Sequence, residues 1–114
     1  MKLIITFGLV FFALFANVTA GDSKNCFCKV ALAGEKRIIQ DLGSIDRQTN
    51  WLSVPCSRMV NCPNLCDQAV KVWSCNNKDD CNSLSNGKKV IQHYKASVCY
   101  EGFGHDEMTC GVNC

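Results

Sequence analysis

The chain has 114 residues, ten of which are cysteines, and its formal net charge is +2 at pH 7. This length accommodates one small domain. A charge so close to balance argues against nucleic-acid binding and against a strongly cationic, membrane-lytic peptide. So many cysteines in a short chain are typical of a disulfide scaffold, in which the bridges supplement a thin apolar core.

Residues 1–20 have the features of a cleaved secretory signal. Lys2 gives a positive start, residues 3–15 are an apolar run, and Ala20 is a small residue at the expected cleavage position. The run is too short for a membrane span. We therefore predict a signal peptide over residues 1–20, followed by a single secreted, extracellular domain over residues 21–114, without a transmembrane segment.

All ten cysteines belong to the predicted mature chain, and secretion would bring them into an oxidising compartment. The even count predicts five disulfides with no free thiol, although the count alone does not determine their pairing. The C-x2-C pairs that are typical of zinc sites are absent from the sequence, so we predict neither a metal nor a cofactor. The predicted disulfide residues are Cys26, Cys28, Cys56, Cys62, Cys66, Cys75, Cys81, Cys99, Cys110 and Cys114.

The first part of the mature chain has the pattern of a β-hairpin. Residues 26–32 alternate, with both cysteines of the C-x-C pair on one side, which predicts a strand. Residues 33–35 contain a glycine and predict a turn, and residues 36–42 predict the returning strand. The polar residues 44–49 predict a loop.

The next segment carries the clearest helix signal. Pro63 suits the first turn of a helix, and Asn61 or Cys62 would then be the N-cap. Apolar residues follow at helical spacing, so we predict a helix over about residues 63–75. Cys66 lies one turn beyond Cys62 and therefore on the same face.

The C-terminal part predicts a polar connector and then a strand. Residues 77–87 are polar, and residues 88–100 are rich in Val, Ile and Tyr, which favours a strand. If Val90 and Tyr94 face the core, the opposite face carries our candidate binding residues, which are Lys89, His93 and Lys95. The predicted fold class is thus α+β, a short antiparallel sheet with one central helix cross-linked by about five disulfides.

The spacing of four cysteines predicts how the helix is attached to the sheet. Cys26 and Cys28 share one strand face, and Cys62 and Cys66 share one helix face, so the two pairs could form two parallel bridges. This arrangement resembles the cysteine-stabilised helix–sheet motif of defensins and scorpion-type toxins. In that family the C-x-C pair follows the helix, whereas here it precedes the helix.

Three short motifs give a second resemblance. CFCK at residues 26–29, DLGS at residues 41–44 and CPNLC at residues 62–66 occur in an order similar to that of invertebrate-type lysozymes. The resemblance implies glycan hydrolysis by two carboxylates. It places Ala31 where that family has its catalytic glutamate, which leaves Asp41 as the one matching acid, with Glu35 as a substitute that no motif places.

Other residues with catalytic or ligand chemistry have simpler interpretations. His105 and Asp106 predict a solvated loop, and Asp79-Asp80 predicts a solvated turn, because no calcium-ligand pattern follows. We assign both tryptophans to the core. They are Trp51 and Trp73.

These features favour a secreted, non-enzymatic binding or effector protein of toxin-like or defence-like character. Its partner would be an extracellular protein or a membrane receptor, which the sequence does not identify. One alternative is a structural component of an extracellular matrix, mucus or shell. Another is a lysozyme-like, glycan-binding protein that has lost catalysis.

Overall fold

The computed structural model describes residues 21–114. The predicted signal peptide, residues 1–20, lies outside the described residues. Within the described part, no helix is long and apolar enough to cross a membrane.

The domain consists of one antiparallel sheet with helices packed against one of its faces. Its four strands lie in the order β2-β1-β3-β4, with every neighbouring pair antiparallel. This confirms the predicted α+β class with its sheet, central helix and five disulfides. In chain order the elements are β1 (Asp22–Leu32), β2 (Ile38–Asn50), a 3-10 helix (Cys56–Met59), α1 (Cys62–Asn76), α2 (Lys78–Ser85), β3 (Val90–Ala96) and β4 (Tyr100–Phe103).

Helix α1 forms where its sequence predicts it, and it extends one residue further at each end. Asn61 is the N-cap residue but makes no side-chain cap hydrogen bond, and Pro63 occupies the first turn. The buried face of α1 repeats every four residues and packs on the sheet. Its members are Cys62, Cys66, Val70 and Ser74.

Disulfides join this helix face to the central strand. Cys26 bonds Cys62 and Cys28 bonds Cys66, which confirms the pairing predicted from their spacing. The other three bridges join the 3-10 helix to the β3–β4 turn, and α1 and α2 to the segment after β4, so all ten cysteines are bonded. These bridges are Cys56–Cys99, Cys75–Cys114 and Cys81–Cys110.

Strand β2 contains three register shifts that arrange its apolar side chains on one face. Along the pairing with β1, Ile39, Leu42 and Ile45 each have no partner, so two residues of β2 oppose one of β1 at each shift. All three side chains pack against the core around α1. In a regular strand, residues three apart point to opposite faces. The extra residue at each bulge reverses this alternation, so that all three side chains point to the core.

Gly43 supports one of these bulges with a left-handed backbone. Its φ is +74°, and a Cβ added there would have no atom within 4 Å. Gly43→Ala should therefore lower the free energy of unfolding by about 1–2 kcal/mol through backbone strain alone. Gly34→Ala is the matched control, because Gly34 also has open space but no left-handed φ. Equal stabilities of the two variants in urea unfolding would contradict this explanation.

Three of the predicted loops and strands are wrong. The predicted loop over residues 44–49 is the second half of β2, and the predicted connector over residues 77–87 contains α2. The predicted strand over residues 88–100 is instead a hairpin, because Ser97 has a left-handed φ and the Cys99 amide donates to the Ala96 carbonyl at 2.8 Å. Val98 is therefore exposed at the turn.

The segment after β2 buries a different residue from the one predicted. Trp51 is 77% exposed, whereas Val54 is 1% exposed. The Val54 amide donates to the Asp22 carboxylate at 2.8 Å, and Lys24 donates to the Val54 carbonyl. The amide of Val54, followed by Lys24, lowers the pKa of Asp22. These contacts turn Val54 inward and leave Trp51 in solvent. Trp73 is half-buried against the core as predicted.

Candidate functional site

Within residues 21–114, no helix packs on the face of the sheet away from α1. Cys26, Cys28 and Val30 of β1 are fully buried against the helix side, so the alternating residues Phe27 and Lys29 project from the other side. We call this second side the open face. Its residues on β3 and β4 follow from the register of the sheet.

Four side chains form a square at the centre of the open face. Phe27 lies opposite Lys95, and Lys29 lies opposite His93. The two lysines therefore occupy one diagonal of the square, and the two rings occupy the other. These four residues line a shallow groove of about 340 Å³, together with Asp41 and Gly43.

The acidic neighbours of this square do not pair with its lysines. Asp41 lies across from Lys29, but its carboxylate accepts from the Gly43 amide at 2.8 Å. Glu101 lies across from Lys95, but its carboxylate lies 3.4 Å from Nε2 of His93. Among the described residues, neither Lys29 nor Lys95 forms an ion pair. The ammonium groups of Lys29 and Lys95 are thus available to bind a ligand next to the two rings.

A third ring, that of Phe103, extends the site toward β4. Phe103 lies opposite His93, and the centroids of their rings are 4.9 Å apart. Nζ of Lys36, from the β1–β2 turn, lies 5.4 Å from the centroid of the Phe103 ring. Such a cation–π contact places a third positive charge over the same surface.

The structure brings together two of the three candidate binding residues. His93 and Lys95 both line the open-face groove. Lys89 precedes β3 and lines a separate groove with Lys71 and Asp106. Tyr94 faces the core, as predicted, and contributes to both clusters of buried residues.

Sequence reasoning missed Phe27, Lys29 and Phe103. The signal for Phe27 is its place between Cys26 and Cys28, because disulfides directed to the helix force the intervening residue onto the opposite face. Lys29 follows from the same alternation. Phe103 could not be placed before the Ala96–Tyr100 turn was known.

The residues singled out by the lysozyme resemblance do not form a carboxylate pair. Ala31 is fully buried, and Asp41 and Glu101 are the acids beside the groove. They lie on β2 and β4 with two strands between them, so their backbones are about 14 Å apart. Asp41 is the one carboxylate in the lining of the groove, whereas glycoside hydrolysis uses a pair.

Glu35 also lacks the environment of a general acid. It is in the β1–β2 turn, where its hydrogen bond from Arg37, followed by the charge of Lys88, lowers its pKa. A general acid of this type needs a raised pKa. Glu35 therefore serves as an ion-pair partner of the turn.

The remaining acids and histidines of the sequence analysis are solvated. Asp79 and Asp80 are exposed in the first turn of α2, which is a favourable place for negative charge. His105 and Asp106 are exposed after β4. Over residues 21–114 there is no group of three or more His, Cys, Asp or Glu side chains that could hold a metal ion.

A third groove lies between β2 and α1. It has a volume of about 440 Å³ and an apolar lining, with a single glutamine as its polar residue. Because it carries no charged side chain, it differs in chemistry from the open face. Its lining consists of Leu42, Ile45, Leu65, Gln68, Ala69, Val72 and Trp73.

Comparison of the sequence with protein-family models, with curated proteins and with solved structures gives no match in any of the three. The two resemblances noted in the sequence therefore gain no support from these comparisons.

Proposed function

We propose that this chain is a secreted, non-enzymatic binding protein whose contact surface is the open face of the sheet. A signal peptide over residues 1–20 would export it, and residues 21–114 would act as one extracellular domain of effector or defence type. The disulfide-rich architecture is compatible with an extracellular protein.

The observation that carries this proposal is the pair of unneutralised lysines beside the exposed ring of Phe27. Lys29 and Lys95 each face an acid across the sheet, yet among the described residues neither lysine forms an ion pair. Phe27 is 37% exposed between them. An aromatic ring flanked by free donors is an arrangement typical of binding surfaces.

The disulfides make such a surface rigid. The bridges from Cys26 and Cys28 fix β1 to α1 on the side opposite the groove. The strand that carries Phe27 and Lys29 therefore loses little conformational freedom when a partner binds, and this lowers the entropic cost of association.

Substitution of the face tests the proposal. We expect Lys29→Gln/Lys95→Gln to weaken binding of the labelled, oxidised protein to intact extracellular matrix by at least about tenfold, since each charged contact contributes about 1.5–3 kcal/mol. Lys78→Gln/Lys89→Gln is the control, because it removes the same charge outside the face. Equal loss in both variants, with all disulfides intact, would show that net charge and not the open face determines binding.

We further expect no glycan hydrolysis, because the buried Ala31 stands where the lysozyme resemblance requires a catalytic glutamate, and Asp41 alone cannot supply the two carboxylates of the reaction. The purified, oxidised protein should leave peptidoglycan and chitin intact in a reducing-sugar assay. Turnover that disappears in Asp41→Asn would show that the protein is an enzyme of the lysozyme-like class.

A further inference from the structure

We propose that the open face binds an acidic saccharide, a sugar ring that carries a carboxylate or a sulfate. This inference rests on the proposed function, since it specifies the ligand of the same face. The groove of about 340 Å³ has a size found among small-ligand sites, which begin at about 300 Å³.

The two lysines provide the site for the negative group. Lys29 and Lys95 lie on adjacent strands and are diagonal neighbours, because Lys29 faces His93 and Lys95 faces Phe27. Diagonal residues of an antiparallel pair are separated by about 7–8 Å. Two long ammonium side chains at this separation can converge on one anion or hold two anions of neighbouring sugar units.

The aromatic side chains of the open face provide the contact surface for the sugar ring itself. Phe27 presents its ring on the other diagonal, and His93 packs at 4.9 Å against Phe103. The C–H face of a sugar ring can lie on an aromatic ring, as other apolar groups do. Asp41 and Glu101 remain at the margins as acceptors for hydroxyl groups.

The location of the groove argues against an acidic peptide. Extended peptides gain much of their affinity by pairing with the free edge of a sheet. Phe27, Lys29, His93 and Lys95 are on the two central strands, β1 and β3, so the groove is away from both edges. A ligand on this face must bring its own donors and acceptors, as a saccharide does.

The charge argues against nucleic acid. Binding to a phosphate backbone typically uses many basic contacts, about 6–10 in strong binders. The open face offers four cationic side chains beside two acids. They are Lys29, Lys36, Lys95 and Arg47, which lies opposite Asn25. This modest excess suits a short ligand with one or two negative groups.

Calorimetric titration of the oxidised protein with defined probes tests the inference. The acidic probes are a sulfated tetrasaccharide from heparin and a tetrasaccharide of hyaluronan, which distinguish sulfate from carboxylate. The other probes are neutral chitotetraose, a tetraglutamate peptide and an eight-nucleotide single-stranded DNA. We expect at least one acidic tetrasaccharide to bind at least about tenfold more tightly than each of the other three.

Two variants, with one control, separate the contribution of the lysine charges from that of the Phe27 ring. Lys29→Gln/Lys95→Gln should weaken binding of the acidic tetrasaccharide at least about tenfold, and Lys78→Gln/Lys89→Gln should change it less than about twofold. Phe27→Leu keeps an apolar side chain but removes the flat ring, and should weaken binding several-fold. Near-ultraviolet circular dichroism and reductant-dependent mass confirm that each variant is folded and oxidised.

Several results would overturn the inference. They are equal binding of chitotetraose, tighter binding of the peptide or the DNA, equal losses in the two double variants, and no binding of either acidic tetrasaccharide. In each of these cases, the matrix-binding experiment separates the two proposals. If binding to the matrix still requires Lys29 and Lys95, the proposed function stands and only the saccharide is rejected as the ligand.

Discussion

Replacing Cys28 and Cys66 together by alanine is expected to destabilise the protein more than replacing Cys75 and Cys114. The two bridges close loops of similar length, with sequence separations of 38 and 39 residues. The chain-entropy model therefore assigns each of them about 4 kcal/mol. A difference in their effects must arise from the folded state.

Packing provides that difference. Cys28 and Cys66 are both fully buried in the main core cluster, whereas Cys114 is exposed at the end of the chain and Cys75 is half-buried. Loss of the sulfurs at the buried bridge leaves a cavity, which adds about 1–2 kcal/mol. Equal midpoints of guanidinium unfolding for the two double variants would contradict this account.

Met59→Ala should cost about 2–5 kcal/mol of unfolding free energy, which is the range for truncation of a buried methionine. Met59 is 1% exposed and belongs to a second core cluster with Cys26, Cys62 and Ala96. This cluster stabilises the end of the sheet where the 3-10 helix meets the β3–β4 turn.

A hydrogen bond from Tyr100 makes the same region sensitive. The Tyr100 hydroxyl donates to the Met59 carbonyl, and burial of the hydroxyl raises the pKa of Tyr100. A shift of the backbone in Met59→Ala would therefore weaken this bond as well.

Val60 gives the control for Met59. It is the next residue, yet it is 69% exposed, so Val60→Ala should change stability by less than about 0.5 kcal/mol. Urea unfolding of both variants under oxidising conditions gives the comparison. Similar losses would mean that the 3-10 helix does not anchor the second cluster.

The sequence predicted the elements that follow a simple period. Helix α1 has Pro63 at its start and a face repeating every four residues, and β1 alternates through Cys26 and Cys28. The spacing of these cysteines also predicted their bonds to Cys62 and Cys66, because a strand and a helix each present such pairs on one face.

The elements that the sequence did not predict depend on contacts between distant residues. The apolar residues of β2 recur every three positions, which fits neither a strand nor a helix until the bulges opposite β1 are known. Helix α2 is polar and lies where turn-forming residues dominate, but Cys81 ties it to Cys110. Tertiary bonds outweigh its weak local preference.

The candidate site on the open face was likewise predictable where it depends on local alternation, and not where it depends on contacts between distant residues. Alternation along β3 pointed to His93 and Lys95 as an outward pair. The role of Phe27 and Lys29 required the order of the strands, because β1 and β3 are far apart in the chain and adjacent in the sheet. Lys89 was assigned to the same face, but it lies before β3 and lines another groove.

Chemical-shift mapping tests most directly whether the open face is the contact surface. The oxidised, nitrogen-15-labelled protein would be titrated with whichever acidic tetrasaccharide binds more tightly, and amide shifts would be followed along both faces. We expect the largest shifts at Phe27, Lys29, His93, Lys95 and Phe103, with little change along α1. Shifts concentrated instead at Leu65, Val72 and Trp73, in the apolar groove between β2 and α1, would contradict the account.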